Sequence, residues 1–214
     1  VERGGEGLAE AIEDLRHRKS VCDGICSNSY LGYFTTLTRE HVPFDVVLDS
    51  QLTAEQLSRY RTLILGNAAC LSDAQAEAIR AYVEAGGSVF AEFETGAFDE
   101  NGAPRKSNPL AEMLGLRSKP EAMSVAYGEE YLTVKGDNAV TSCFVDGQLL
   151  PRPPYAMKAE FAGDAQALLY YNAPIGKLYA ALTPATDAPA LIARKVGKGR
   201  VAYTPALMGE FYGR

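Results

Sequence analysis

The chain has 214 residues, 47% hydrophobic, 22% charged and 9% aromatic, enough for one substantial core with room for a small second lobe. The balance of 21 basic against 27 acidic residues leaves a net charge of -6, which argues against nucleic acid or an anionic membrane as partner. No run of 18 apolar residues is present, so no membrane-spanning helix is expected.

The sequence starts at Val1 rather than Met, and the charged stretch to Lys19 lacks the apolar core of a signal peptide, which favours a cytoplasmic setting. Leu8, Ile12 and Leu15 recur at helical spacing, so residues 1–20 are expected as a helical segment and 21–214 as the main domain. Cys22 and Cys26, with His17 nearby, invite a metal or disulfide reading. The strand expected from Val21 to Ile25 would set the two thiols roughly 13 Å apart, too far for one bond or one zinc ion, so buried thiols are the simpler expectation.

Ser27-Asn28-Ser29 supplies cap chemistry for a helix with Leu31, Phe34, Leu37 and His41 in one stripe, ended by Pro43. Phe44 to Leu48 follows as a strand. Thr53-Ala54-Glu55-Gln56 and Ser72-Asp73-Ala74-Gln75 each have capping-box spacing, and Thr62 to Leu65 between them reads as a strand ending at Gly66-Asn67. The second helix, with Ile79, Tyr82 and Val83 on one face, stops at Gly86-Gly87, and Ser88 to Phe93 returns as a strand. Such strand–helix units predict an α/β fold with a flavodoxin-like parallel sheet flanked by helices.

Asn108-Pro109 opens a short helix that ends at Gly115. Met123, Val125 and Tyr127 alternate, as do Tyr131 and Thr133, across a turn at Gly128-Glu129. Strands are expected over Ala167 to Tyr171 and Leu178 to Leu182. Leu191 to Val196 and Arg200 to Thr204, joined by Gly197-Lys198-Gly199, form an antiparallel hairpin. The second half therefore adds antiparallel strands to the parallel core.

Ligands of a parallel α/β sheet meet the loops past the C-terminal strand ends, which here carry Asn28, Asn67 and Glu92-Phe93-Glu94-Thr95-Gly96. Glu92 and Glu94 point to one side if their strand persists. They could then hold a sugar hydroxyl or a cation, or act as acid and base; a hydrogen-bonded sheet edge is the structural alternative. Nucleophilic chemistry lacks its parts. The only histidines are His17 and His41, suited to a helix C-terminus and to packing or capping, and Cys70 has no elbow around it. Gly197-Lys198-Gly199 is a turn rather than a phosphate loop, and no two-histidine metal motif occurs. No catalytic residue, cofactor or metal is therefore expected.

Three stretches, Val42 to Asp49, Tyr60 to Gly102 and Ala188 to Gly209, together resemble the class I glutamine-amidotransferase-like fold, and more closely the trimerisation domain beside the catalytic barrel of beta-galactosidases. The resemblance implies a catalytically silent structural or oligomerisation domain of a glycoside hydrolase, a homo-oligomer with a trimer in view, and a catalytic barrel upstream in the same polypeptide. Amidotransferases carry a cysteine elbow after the strand matching Ser88 to Phe93 and a later His-x-Glu pair; this chain has no cysteine between Gly86 and Gly96 and no histidine after His41. Two alternatives remain at this stage: a small hydrolase using the crevice carboxylates, and a carbohydrate-binding module with Tyr or Phe stacking surfaces.

Overall fold

The computed structural model describes residues 29–124, 130–175 and 181–212. The expectations for residues 1–28, including the strand Val21 to Ile25, and those at Gly128-Glu129 and Leu178 lie outside the described residues. The chain divides into two compact units, one holding residues 29–43 and 209–212, the other Phe44–Met208.

The first unit is built on helix α1, residues 29–39. Its end is a Schellman turn: the Val42 amide donates to the Leu37 carbonyl at 2.9 Å and the His41 amide to Thr38 at 3.2 Å. His41 adopts the positive φ (53°) that this turn requires. It therefore belongs to the turn past the helix and not to the helical stripe. Ser29 and Gly32 face inward, and a β-carbon on Gly209 would lie 2.6 Å from the Ser29 hydroxyl, so α1 and the 209–212 segment pack backbone to backbone.

The second unit starts with a βαβ element. After α2 (Ala54–Leu57), β1 (Thr62–Leu65) leads through α3 (Asp73–Ala85) to β2 (Ser88–Glu92), which lies parallel to β1 with Leu63 opposite Val89. Of the two expected capping boxes, the one at Ser72–Gln75 forms in full and the one at Thr53–Gln56 forms only its first half. The Thr53 hydroxyl accepts from the Gln56 amide at 3.3 Å, and Ser72 and Gln75 bond each other's backbone amides at 3.2 and 2.8 Å. At the far end of α3, Gly86 takes φ 124° and the Tyr82 ring occupies the space a Gly87 side chain would need.

The remaining elements are α4 (Ala111–Leu114), β3 (Glu121–Ala122), β4 (Tyr131–Val134), β5 (Leu149–Pro151), β6 (Met157–Lys158), β7 (Gln166–Asn172), β8 (Ala185–Val196) and β9 (Gly199–Thr204). One seven-stranded sheet runs β1-β2-β9-β8-β7-β4-β5, and β3 with β6 makes a small separate ribbon. The last strand is inserted in the middle: β9 is parallel to β2 and antiparallel to β8 through the predicted hairpin, whose turn is Gly197-Lys198. Register shifts between β7 and β8, around Pro189, bend the antiparallel half. Alternation along the central strands fills both faces. Ile192, Val201 and Tyr203 join the core under α3, while Leu191 and Ala202 join a second core with Leu132, Leu168 and Tyr171.

Among the described residues the architecture is thus mixed α/β, a curled seven-stranded sheet with parallel pairing at β1–β2 and β2–β9, antiparallel strands from the second half as expected, and few helices. Phe44 to Leu48, expected as a strand, has no ladder among the described residues, and Phe44, Val46 and Leu48 are exposed. Among the described residues no helix is long and apolar enough to cross a membrane.

Candidate functional site

The loops after β1 and β2 emerge side by side because the two strands are parallel and in register, and they are laced together by their own backbones. Gly96 donates to Ala68 at 3.0 Å, Phe98 to Ala69 at 3.0 Å, and Leu71 to Phe98 at 3.2 Å. Arg105 fastens this seam, donating to the carbonyls of Leu71 (2.8 Å) and Phe98 (3.3 Å) while pairing with Asp73 at 2.7 Å. Asn108 donates to Thr95 at 2.8 Å and accepts the Leu110 amide at 2.8 Å. Polar groups that could have met a ligand are spent on holding the loops.

The candidate residues fall within or beside this seam. Asn67 is buried at φ 51°, and its side-chain oxygen accepts the Glu94 amide at 3.2 Å. Glu92 ends β2 and is fully buried, whereas Glu94 is half-buried. The strand does not persist between them: Phe93 has φ 49°, which turns the chain and removes the shared face on which a carboxylate pair depended. Asn28 lies outside the described residues. The structure thus joins Asn67 to Glu94 through a backbone amide and sets Glu92 into the interior.

Phe93 was not among the sequence candidates, yet it occupies the decisive position. A bulky residue at positive φ directly after a parallel strand is strained by about 1–3 kcal/mol and must be held by its surroundings. The Phe93 amide donates to the Thr204 carbonyl at 2.8 Å, its carbonyl accepts the Tyr203 hydroxyl at 2.7 Å, and the Glu92 carbonyl accepts the Thr95 hydroxyl at 2.7 Å. This is the kind of turn on which an elbow presents a serine or cysteine nucleophile; here it presents a phenyl ring, which has no proton to lose and no lone pair to attack with. Nothing in a Glu-Phe-Glu triplet signals the positive φ, because the bonds that impose it come from β9.

Burial sets the electrostatics. The Tyr203 phenol is pushed far above its ordinary range, first by desolvation and then by Tyr171, Glu94 and Glu92. Tyr171 is raised by desolvation and pulled back by Arg152. Arg152 is lowered by its own burial; it pairs with Glu130, donates to the Ser124 carbonyl and lies 5.9 Å from the centroid of the Tyr171 ring. Tyr203 therefore stays protonated and cannot serve as a base near neutral pH. Among the described residues no three His, Cys, Asp or Glu side chains gather to hold a metal.

These phenols give a pH dependence. In the folded chain both keep their protons above the ordinary tyrosine value of 10.0, where the unfolded chain releases them. The folded state then binds more protons, so the stability contribution is complete below that value and falls above it, by about 1.4 kcal/mol per pH unit for each tyrosine. Urea titrations at about pH 8 and about pH 11 should show the loss; equal stabilities at the two values would contradict it.

The comparisons with known proteins follow this geometry. The family model for the beta-galactosidase trimerisation domain matches residues 10–210. No curated protein matches the sequence. Among solved structures, Gan42B, a GH42 beta-galactosidase from G. stearothermophilus, is 18% identical with a TM-score of 0.61, over 85% of this chain and 24% of its own. A beta-galactosidase from Bacillus circulans sp. alkalophilus is 19% identical with a TM-score of 0.56, over 73% of this chain and 22% of its own. A cytoplasmic protein from Salmonella typhimurium LT2 is 16% identical with a TM-score of 0.55, over 82% of this chain and 74% of its own. The chain spans about a quarter of the length of these beta-galactosidases, with which it shares a fold. With the family model matching from residue 10 to residue 210, the chain belongs to the beta-galactosidase trimerisation domain family.

Proposed function

We propose that this chain associates subunits of a glycoside hydrolase, as a homotrimer, while the sugar chemistry is carried by a catalytic barrel upstream in the same polypeptide. The observation that carries the silent half of this reading is Phe93 at the turn after β2, beside a carboxylate, Glu92, that is enclosed in the interior. The family match supports the associating half.

The same reading takes residues 1–20 as a leading helical segment and 21–214 as one amidotransferase-like accessory domain. The finer description, a flavodoxin-like parallel sheet flanked by helices, belongs to the same reading; the parallel run β1-β2-β9, with α3 crossing over from β1 to β2, supports it.

Assays of the 214-residue chain against glutamine and a chromogenic galactoside test the silence. Neither substrate should turn over. Galactoside hydrolysis that disappears in Glu92→Gln or Glu94→Gln would establish the small-hydrolase alternative instead.

A further inference from the structure

The asparagines of this chain are not used alike. Among the described residues, Asn67 bonds the Glu94 amide, Asn108 bonds Thr95 and Leu110, Asn138 bonds Gln166 and Val140, and Asn172 bonds Thr133 and Thr183, all through their side chains. Asn101 is the exception: its backbone amide is engaged, but its exposed side chain has no hydrogen-bond partner. It is also the one asparagine in the sequence followed by glycine. In such a pair the next backbone nitrogen can reach the asparagine's own side-chain carbonyl carbon without any encounter step, and glycine has no β-carbon to obstruct the approach. The surroundings leave room for it, since a β-carbon on Gly102 would meet nothing within 4 Å.

The same turn holds the attacking nitrogen back. The Gly102 amide donates to the Asp99 carbonyl at 3.0 Å, and the Asp99 carboxylate accepts the amides of Asn101 at 2.9 Å and Ala103 at 2.8 Å. Reaction requires these bonds to open.

We propose that Asn101 is a self-modification site, at which the Gly102 nitrogen attacks the Asn101 side-chain carbonyl carbon and Asp99 sets the rate by fixing the turn. The new bond joins that nitrogen to that carbon. The Gly102 amide proton passes to solvent, the side-chain carbon–nitrogen bond breaks, and its electron pair leaves with a proton as ammonia. Water then opens the resulting cyclic imide at either carbonyl, giving aspartate or isoaspartate; nothing is oxidised or reduced. Aspartate adds one negative charge to a chain already at -6. Isoaspartate also routes the main chain through the side-chain carbon, and the extra atom breaks the spacing of the turn. The consequence reaches the seam between the β1 and β2 loops. Phe98 lies opposite Pro104, and the Arg105 amide donates to Ala97 at 2.9 Å, so this turn is what aims Arg105 at the carbonyls of Leu71 and Phe98.

The test incubates the full-length protein at mildly alkaline pH and follows each asparagine by peptide mapping, with electron-transfer fragmentation to separate aspartate from isoaspartate. Asn101 should convert ahead of Asn67, Asn108, Asn138 and Asn172 and give both products. Asp99→Ala removes two hydrogen bonds and should speed conversion about three- to tenfold with an unchanged circular dichroism spectrum. Asp99→Asn, which keeps an acceptor oxygen in place, should convert at the wild-type rate. Wild type unfolded in urea loses the turn without a substitution and should also convert faster than the folded protein. Hydrogen exchange at the Gly96 and Phe98 amides should quicken in the isoaspartate fraction and not in Asn101→Asp. Earlier conversion at another of these asparagines would overturn the site. A rate in Asp99→Ala equal to the wild type's, or in urea equal to that of the folded protein, would overturn the restraint. Slower conversion in Asp99→Ala would overturn it too, making the carboxylate the base that takes the Gly102 proton. Unchanged exchange at Gly96 and Phe98 in the isoaspartate fraction would overturn the link to the seam.

Discussion

Replacing Gly199 by alanine should lower the thermal unfolding midpoint by about 6–12 °C, the equivalent of about 3 kcal/mol in a chain of this size. Gly199 opens β9 directly after the Gly197-Lys198 turn, and it is buried against the C-terminal end of α3. A β-carbon there would fall within the van der Waals envelope of the Gly87 and Val83 carbonyl oxygens. Neither carbonyl is free to retreat: Val83 accepts the Gly86 amide at 3.0 Å and Gly87 accepts the Arg200 amide at 3.3 Å. Relief therefore requires either the helix end or the strand to move, and β9 is the strand that joins the parallel and antiparallel halves of the sheet. Gly163 is the control, since open space surrounds the position of its missing side chain; Gly163→Ala should leave the midpoint within about 2 °C. Equal midpoints for the two variants in differential scanning calorimetry would show that the close approach of β9 to α3 is not needed.

The second large effect is at Arg152, where alanine should cost about 3–5 kcal/mol in urea unfolding. The guanidinium is almost wholly buried, paired with Glu130, bonded to the Ser124 carbonyl and set near the Tyr171 ring. Its backbone amide also donates to Glu130, at 2.9 Å, so one residue ties positions 124 and 130 to the end of β5. Truncation leaves the Glu130 carboxylate, itself mostly buried, without this cation, and that loss outweighs what the pair contributed. The double substitution Arg152→Met with Glu130→Leu removes both charges and keeps the volume, and should recover most of the loss. A double variant that loses as much as the two single variants added together would show that the charges do not act as a pair.

Features set by adjacent residues were legible in the sequence. The Ser72–Gln75 capping box, the Gly86-Gly87 stop and the hairpin at Gly197-Lys198 all form, because each depends on chemistry within a few residues. Features set by distant partners were not. The positive φ of Phe93 depends on a carbonyl and a hydroxyl more than a hundred residues later in the chain, at Thr204 and Tyr203. The pairing of Arg152 with Glu130 crosses from the β5 end to the β4 start, and nothing near either residue announces it. The candidate site follows the same division. Its location at the strand ends was legible from the order of elements, whereas the enclosure of Glu92 and the use of Asn67 as a clasp for Glu94 arise only once the two loops meet.

Sedimentation equilibrium of the full-length protein tests most directly the idea that this fold holds subunits together. The account predicts three times the mass of one polypeptide, maintained on dilution into the micromolar range. A particle of single-polypeptide mass at every concentration would contradict it.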